Sequence, residues 1–166
     1  MKTRNMVLCA LFAALMAICA WISIPTGGIS FTLQTFSLFL ALLVLGGKWG
    51  SVTVFVYLAL GAIGLPVFSG FQGGIGALVG PSGGFFFGFM LTCLLYFVAT
   101  SLFGSRRSIR IVSLCAGLFL TYLTGWLWYC RFAPVNFFLW ILPYLLPDLL
   151  KLFLAYFLSN RLNRIR

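Results

Sequence analysis

Apolar runs long enough to cross a bilayer alternate with short polar or glycine-rich breaks along the whole chain. The first runs from Met6 to Ile24 behind Lys2 and Arg4. Its apolar core is longer than that of a cleaved signal peptide, so it is read as a retained span. Pro25-Thr26-Gly27-Gly28 ends it. A second, short run covers 31–46, Gly47-Lys48-Trp49-Gly50 reads as a tight turn, and a third run covers 50–65 before Pro66. After a glycine-rich stretch come runs at 85–103, 109–130 and 137–159. A continuous apolar run of this length signals a membrane helix. The pattern therefore predicts an all-α, polytopic membrane protein: one domain over 1–166 with six transmembrane helices.

Composition agrees with that pattern and charge orients it. Hydrophobic residues make up 63% of the chain and charged ones only 7%, a balance outside the soluble globular range. The net charge of +10 does not point to nucleic acid, because the basic residues sit at span ends and not on one face interleaved with aromatics. With the N-terminus inside, the inner segments carry Lys2 and Arg4, then Lys48, then Arg106, Arg107 and Arg110, then Arg161, Arg164 and Arg166. Arg131 alone falls in an outer loop. The positive-inside rule then puts both termini in the cytoplasm, and the segment 25–34 and the glycine-rich stretch on the outer face.

Asp148 is the single acidic residue of the chain, and Lys151 follows it by three positions inside the last apolar run. That spacing puts both on one helical face. An ionisable group at membrane depth costs roughly 3 kcal/mol on insertion scales and marks a ligand or ion path by default. Pro147 removes a backbone donor and predicts a helix break just before Asp148, the broken-helix device of many transporter sites. The structural alternative is an ion pair that only pins the last helix to its neighbours. Functionally, Asp148 accepts hydrogen bonds and Lys151 donates them, which suits a small solute carrying N–H donors and a carbonyl or carboxylate. Trp140, Tyr144 and Phe85 are candidate apolar walls, and Gln34 and Gln72 are candidate polar contacts from the two uncharged outer segments.

Between Gly70 and Gly84 lie seven glycines in fifteen residues. This is not a phosphate loop, since no lysine follows a glycine at the required place and no strand precedes it. It reads as a compact cap over a cavity, with Gly80, Pro81, Ser82, Gly83 and Gly84 as its lid. The first span carries two small-xxx-small pairs, Ala10/Ala14 and Ala13/Ala17, a spacing that lets another helix approach closely. Histidine is absent, the five cysteines have no metal spacing, and no second carboxylate exists. Enzymatic and metal chemistry are thereby disfavoured, no cofactor is implied, and active transport would need energy from elsewhere.

Four motifs in order resemble those of the BioY biotin transporters. Phe31-Thr32-Leu33-Gln34-Thr35-Phe36 and Leu60-Gly61-Ala62-Ile63-Gly64-Leu65-Pro66-Val67-Phe68 are similar to the early motifs of that family. Gly80-Pro81-Ser82-Gly83-Gly84-Phe85 resembles its Gly-Pro-Thr-Gly-Gly-Tyr signature, with Ser82 and Phe85 as departures. Pro147-Asp148-Leu149-Leu150-Lys151 resembles its Pro-Gly-Asp-Leu-x-Lys, with the proline moved next to the acid. The resemblance implies a six-helix substrate-binding (S) component of an energy-coupling factor (ECF) transporter in the cell membrane, with Asp148 and Lys151 binding biotin. It also implies docking of the first-span alanines on a transmembrane coupling (T) subunit that works with a pair of ATPases. The alternatives are an S component for another vitamin, or a membrane assembly protein with a structural ion pair.

Overall fold

The computed structural model describes residues 2–24 and 30–165. Its order is α1 (Lys2–Trp21), β1 (Ser23–Ile24), β2 (Phe31–Thr32), α2 (Gln34–Ala62), a 3-10 turn (Ser69–Phe71), α3 (Ile75–Val79), α4 (Gly83–Phe103), α5 (Arg107–Tyr129) and α6 (Phe137–Ile165). The expected segment 25–34 lies partly outside the described residues. Its ends are fixed by an antiparallel pair, Ser23 opposite Thr32 and Ile24 opposite Phe31. The Leu33 N–H donates to the carbonyls of Cys19 and Ile22, which ties the start of α2 to the end of α1. The first span therefore ends at Trp21 and the second begins at Gln34.

Five helices are long and apolar enough to cross a membrane: α1, α2, α4, α5 and α6. One of them is folded back on itself. Gly46 sits at φ 78°, ψ 174°, outside helical geometry, a conformation that glycine reaches without steric penalty. Gln34 Nε2 donates to the Tyr57 hydroxyl at 2.6 Å, whereas a straight helix would hold these residues about 34 Å apart. The element is thus an antiparallel hairpin with arms 34–45 and 47–62. The predicted break is present, but at Gly46 and not across 47–50. Gly50 has another task, because a Cβ there would come within 2.8 Å of Leu42 Cα on the opposite arm.

Five stretches gather at one end of the bundle. Cys9 Sγ reaches the Trp49 carbonyl at 3.4 Å, and Asn163 Nδ2 reaches the Leu43 carbonyl at 3.5 Å. A Cβ on Gly47 would approach Phe97 Cα within 2.8 Å, and the guanidiniums of Arg107 and Arg110 lie over the Tyr156 ring. At the opposite end, Trp21 Nε1 donates to the Pro66 carbonyl and Trp128 Nε1 to the Gly80 carbonyl. That second end carries β1, β2 and the glycine-rich stretch.

α4 and α5 meet backbone to backbone. A Cβ on Gly84 would strike the Thr124 carbonyl and Trp128, and one on Gly88 would strike Thr121 Cα. From the other side, a Cβ on Gly117 would strike Thr92. Thr92 Oγ1 binds the Gly117 carbonyl at 2.8 Å and pairs with Thr121 Oγ1 at 3.0 Å. Small residues let helices approach where no hydrophobic drive separates lipid from protein. Gly83 and Gly84, expected in a lid, are instead the first turn of α4, buried against the chain around them.

α6 is continuous from Phe137 to Ile165 with Pro143 and Pro147 inside it, so the break expected before Asp148 is absent. Lacking an N–H, neither proline can donate to the carbonyl a turn earlier. Such prolines are tolerated where the rest of the span and its neighbours hold the helix. Along this helix Ile141, Asp148, Lys151, Leu152, Ala155 and Ser159 are buried, while Leu139, Leu142, Leu146, Leu150 and Phe153 face outward. Three- and four-residue spacing puts the charged pair on the inner stripe and aliphatic side chains on the lipid side.

The alanines of α1 also divide. Ala13 and Ala17 are buried in the chain's own core, which corrects their expected role as a docking surface. Ala10 and Ala14 are exposed on the other face, beside Leu11 and Ile18. Both pairs have the same spacing, and packing against α2 consumes one of them.

Candidate functional site

Near the end that bears β1 and β2, one cavity reaches from the loops down to the charged pair. Its walls come from five parts of the chain. The β2–α2 junction gives Phe31, Thr32, Gln34 and Thr35, and α6 gives Tyr144, Asp148 and Lys151. α4 gives Phe85, Phe86 and Phe89, α5 gives Tyr122, and Ser69 and Ser82 come from the glycine-rich cap.

Asp148 and Lys151 are each only 5% exposed. Lys151 Nζ donates to Asp148 Oδ1 at 2.6 Å and to the Thr32 carbonyl at 2.6 Å. Thr35 Oγ1 donates to the same Oδ1 at 2.9 Å and accepts a longer 3.4 Å contact from Nζ. The Tyr122 hydroxyl donates to Oδ2. Nζ also stands 3.8 Å from the centroid of the Phe31 ring, whose face attracts a cation. Removing two charges from water costs several kcal/mol per ion, and it is offset only where geometry is good and other polar atoms join in. Here three donors converge on one carboxylate. A carboxylate offers about four acceptor positions, so Oδ2 retains one that a ligand N–H can take. In this low-dielectric setting such a bond is stronger than in water.

The predicted residues are placed unequally. Gln34, Phe85, Tyr144, Asp148 and Lys151 all line the cavity, and so does Ser82 of the expected lid. The Gln34 amide also donates to Tyr57, whose hydroxyl donates to the Val67 carbonyl at 2.9 Å, linking the cavity wall to the segment that leads into the cap. Trp140 stands one layer behind. It stacks on Tyr129 at 5.6 Å and leans on Phe85 and Tyr144. Gln72 is exposed and lines a separate outer depression with Gly80 and Pro81. The structure does not bring it to the charged pair. Tyr122, Phe31, Phe86 and Phe89 join the cavity unforeseen, and Thr35 takes a direct hold on Asp148. The available signal for Tyr122 was its hydroxyl next to Thr121 within an otherwise apolar run.

Among the described residues no group of histidine, cysteine or carboxylate side chains is placed to hold a metal. The cysteines are free thiols, three of them buried. An all-helical, multi-pass membrane protein that holds its one carboxylate at the bottom of an aromatic cavity belongs to the solute-binding transport class.

Comparison with known proteins narrows that class. The sequence model of the BioY family matches residues 1–166. The chain belongs to the BioY family. It is 41% identical over 166 residues to a probable biotin transporter BioY of Pyrococcus horikoshii, covering 98% of both chains. It is 39% identical over 167 residues to the biotin transporter BioY of Thermotoga maritima, covering 98% of this chain and 97% of that one. In three dimensions it matches the crystal structure of the S component for biotin from an ECF-type ABC transporter. That match has a TM-score of 0.87 at 26% identity, over 98% of this chain and 92% of the other.

Proposed function

We propose that the chain is the biotin-binding S component of an ECF transporter, taking up biotin across the cell membrane with energy from separate coupling and ATPase subunits. The observation that carries the proposal is the buried Asp148, gripped by Lys151, Thr35 and Tyr122 beneath an aromatic-walled cavity. Biotin's fused rings are apolar around a ureido group with two N–H donors and a carbonyl, and its tail ends in a carboxylate. The open acceptor position on Asp148 Oδ2 takes a ureido N–H. Lys151 exchanges its bond to the Thr32 carbonyl for the ureido carbonyl or the tail carboxylate. Gln34 and Ser82 add polar contacts, Phe85 and Tyr144 wall the rings, and Trp140 backs both. Gln72 lies outside this set.

In the same reading the chain is one domain over 1–166 with six crossings, the arms of α2 counting separately. Basic residues collect at the end where α1 begins, α2 turns back and α6 finishes, with Arg131 near the other end. That distribution supports cytoplasmic termini. The exposed Ala10/Ala14 face of α1 is then the surface offered to the coupling subunit.

Titration of the purified chain in detergent with a panel of vitamins tests the assignment. Saturable one-to-one binding of biotin, with no competition from the other vitamins, is expected. A well-folded preparation that ignores biotin and takes another vitamin contradicts it. The hold that Lys151, Thr35 and Tyr122 already have on Asp148 favours one other reading, a purely structural ion pair, under which no vitamin binds.

A further inference from the structure

We propose that the basic end of the bundle carries a binding site for the headgroup phosphate of an anionic phospholipid, built by Arg107, Arg110 and Tyr156 between α5 and α6. The guanidinium carbons of Arg107 and Arg110 stand 5.2 and 5.8 Å from the centroid of the same Tyr156 ring. One ring thus stands beside two cations three residues apart on α5. Like charges so close raise each other's energy unless an anion joins them. Arg110 Nε is buried without a hydrogen-bond partner, and an unmet buried donor carries a penalty of its own.

The described part of the chain offers no anion to fill this role. Its one acidic residue, Asp148, is bound to Lys151, and it lies eight residues before Tyr156 on α6, about 12 Å away by helical rise. A phosphodiester supplies what the pair needs: planar guanidiniums bind its oxygens in a bidentate fork, with a geometry lysine cannot copy. Depth identifies the source. Arg106 and Arg107 stand at the α4–α5 turn, where two apolar helices leave the hydrocarbon region, and basic residues between helices at that level hold anionic headgroups. The site rests on the chain being a membrane protein and is independent of the biotin assignment.

The test exposes the full chain in detergent to phosphatidylglycerol or phosphatidylcholine and counts retained lipid by native mass spectrometry. Phosphatidylglycerol should be retained roughly thirtyfold over phosphatidylcholine, from two basic residues at the membrane surface. In R107Q/R110Q the preference should vanish, with gel filtration and circular dichroism confirming the fold. Should that double variant fail to fold, R110K keeps the charge, loses the fork and should lower the preference at least threefold. Equal retention of the two lipids, or an unchanged preference in the variants, overturns the proposal. Millimolar inorganic phosphate that displaces the phosphatidylglycerol completely would make this a site for free phosphate and overturn the lipid assignment.

Discussion

The seam between α4 and α5 and the seam between α2 and α6 solve the same packing problem with opposite materials. In the first, glycines bring backbones together, and Thr92 spends its hydroxyl on the Gly117 carbonyl and Thr121. Those hydroxyls are satisfied within the contact itself. In the second, a carboxylate and an ammonium are buried between the β2–α2 junction and α6, with Thr32 and Thr35 as partners. Polar groups that only hold helices together are small and satisfied against backbone. Charged groups that stand beside a cavity cost more than packing requires, and the excess points to a ligand.

The two seams should differ most at Lys151. Lys151→Met leaves Asp148 as a lone buried charge, a loss of about 3–5 kcal/mol. Its melting temperature in detergent should fall further than that of any other variant here. Adding Asp148→Asn should restore most of that stability, because replacing both partners of a buried pair is close to neutral. Biotin binding should stay lost. A double variant that binds biotin would mean the pair is structural after all.

The glycine seam should respond the other way. Gly88→Leu pushes a side chain into Thr121 Cα, a backbone atom that yields only by parting the helices. Overpacking of this kind costs about 1–3 kcal/mol. Thermal stability should drop, while protein that remains folded should still distinguish biotin from other vitamins.

The smallest effect belongs to Tyr122→Phe, which removes one donor from Asp148 Oδ2 and leaves the ring. A hydrogen bond to a charged group is worth about 1.5–3 kcal/mol. Part of that returns when the freed oxygen accepts from the ligand, so biotin affinity by titration should change by less than about tenfold. A loss as large as that of an Asp148 variant would move Tyr122 from support to direct contact.

These two seams were unequally legible in the sequence. Asp148 stood out because no other acid exists, and Lys151 followed from helical spacing. Phe85 and Tyr144 followed as aromatics near that pair. Tyr122 was hidden, since an aromatic ring inside an apolar run counts as apolar, and its hydroxyl matters only once α5 is placed beside α6. Gln72 misled for the converse reason: an amide in an uncharged loop looks purposeful, yet the turn at Ser69–Phe71 leaves it outside. Pro147 suggested a break that the continuous α6 does not have, because proline removes one bond while the remaining turns hold. For α1, spacing marked two alanine stripes, but only the position of α2 decides which one is covered. The hairpin in α2 was foreseen within a few residues, since four residues rich in glycine interrupt an apolar run there.

Biotin titration of the wild-type chain beside Asp148→Asn, followed by tryptophan fluorescence with Trp140 one layer behind the cavity wall, tests directly whether Asp148 holds the ligand. A biotin-binding role for Asp148 predicts saturable binding by the wild type and roughly a hundredfold weaker binding by the folded variant, from the loss of a charged acceptor in a low-dielectric site. Equal affinity in the two proteins would contradict it, and would remove Asp148 from the biotin site.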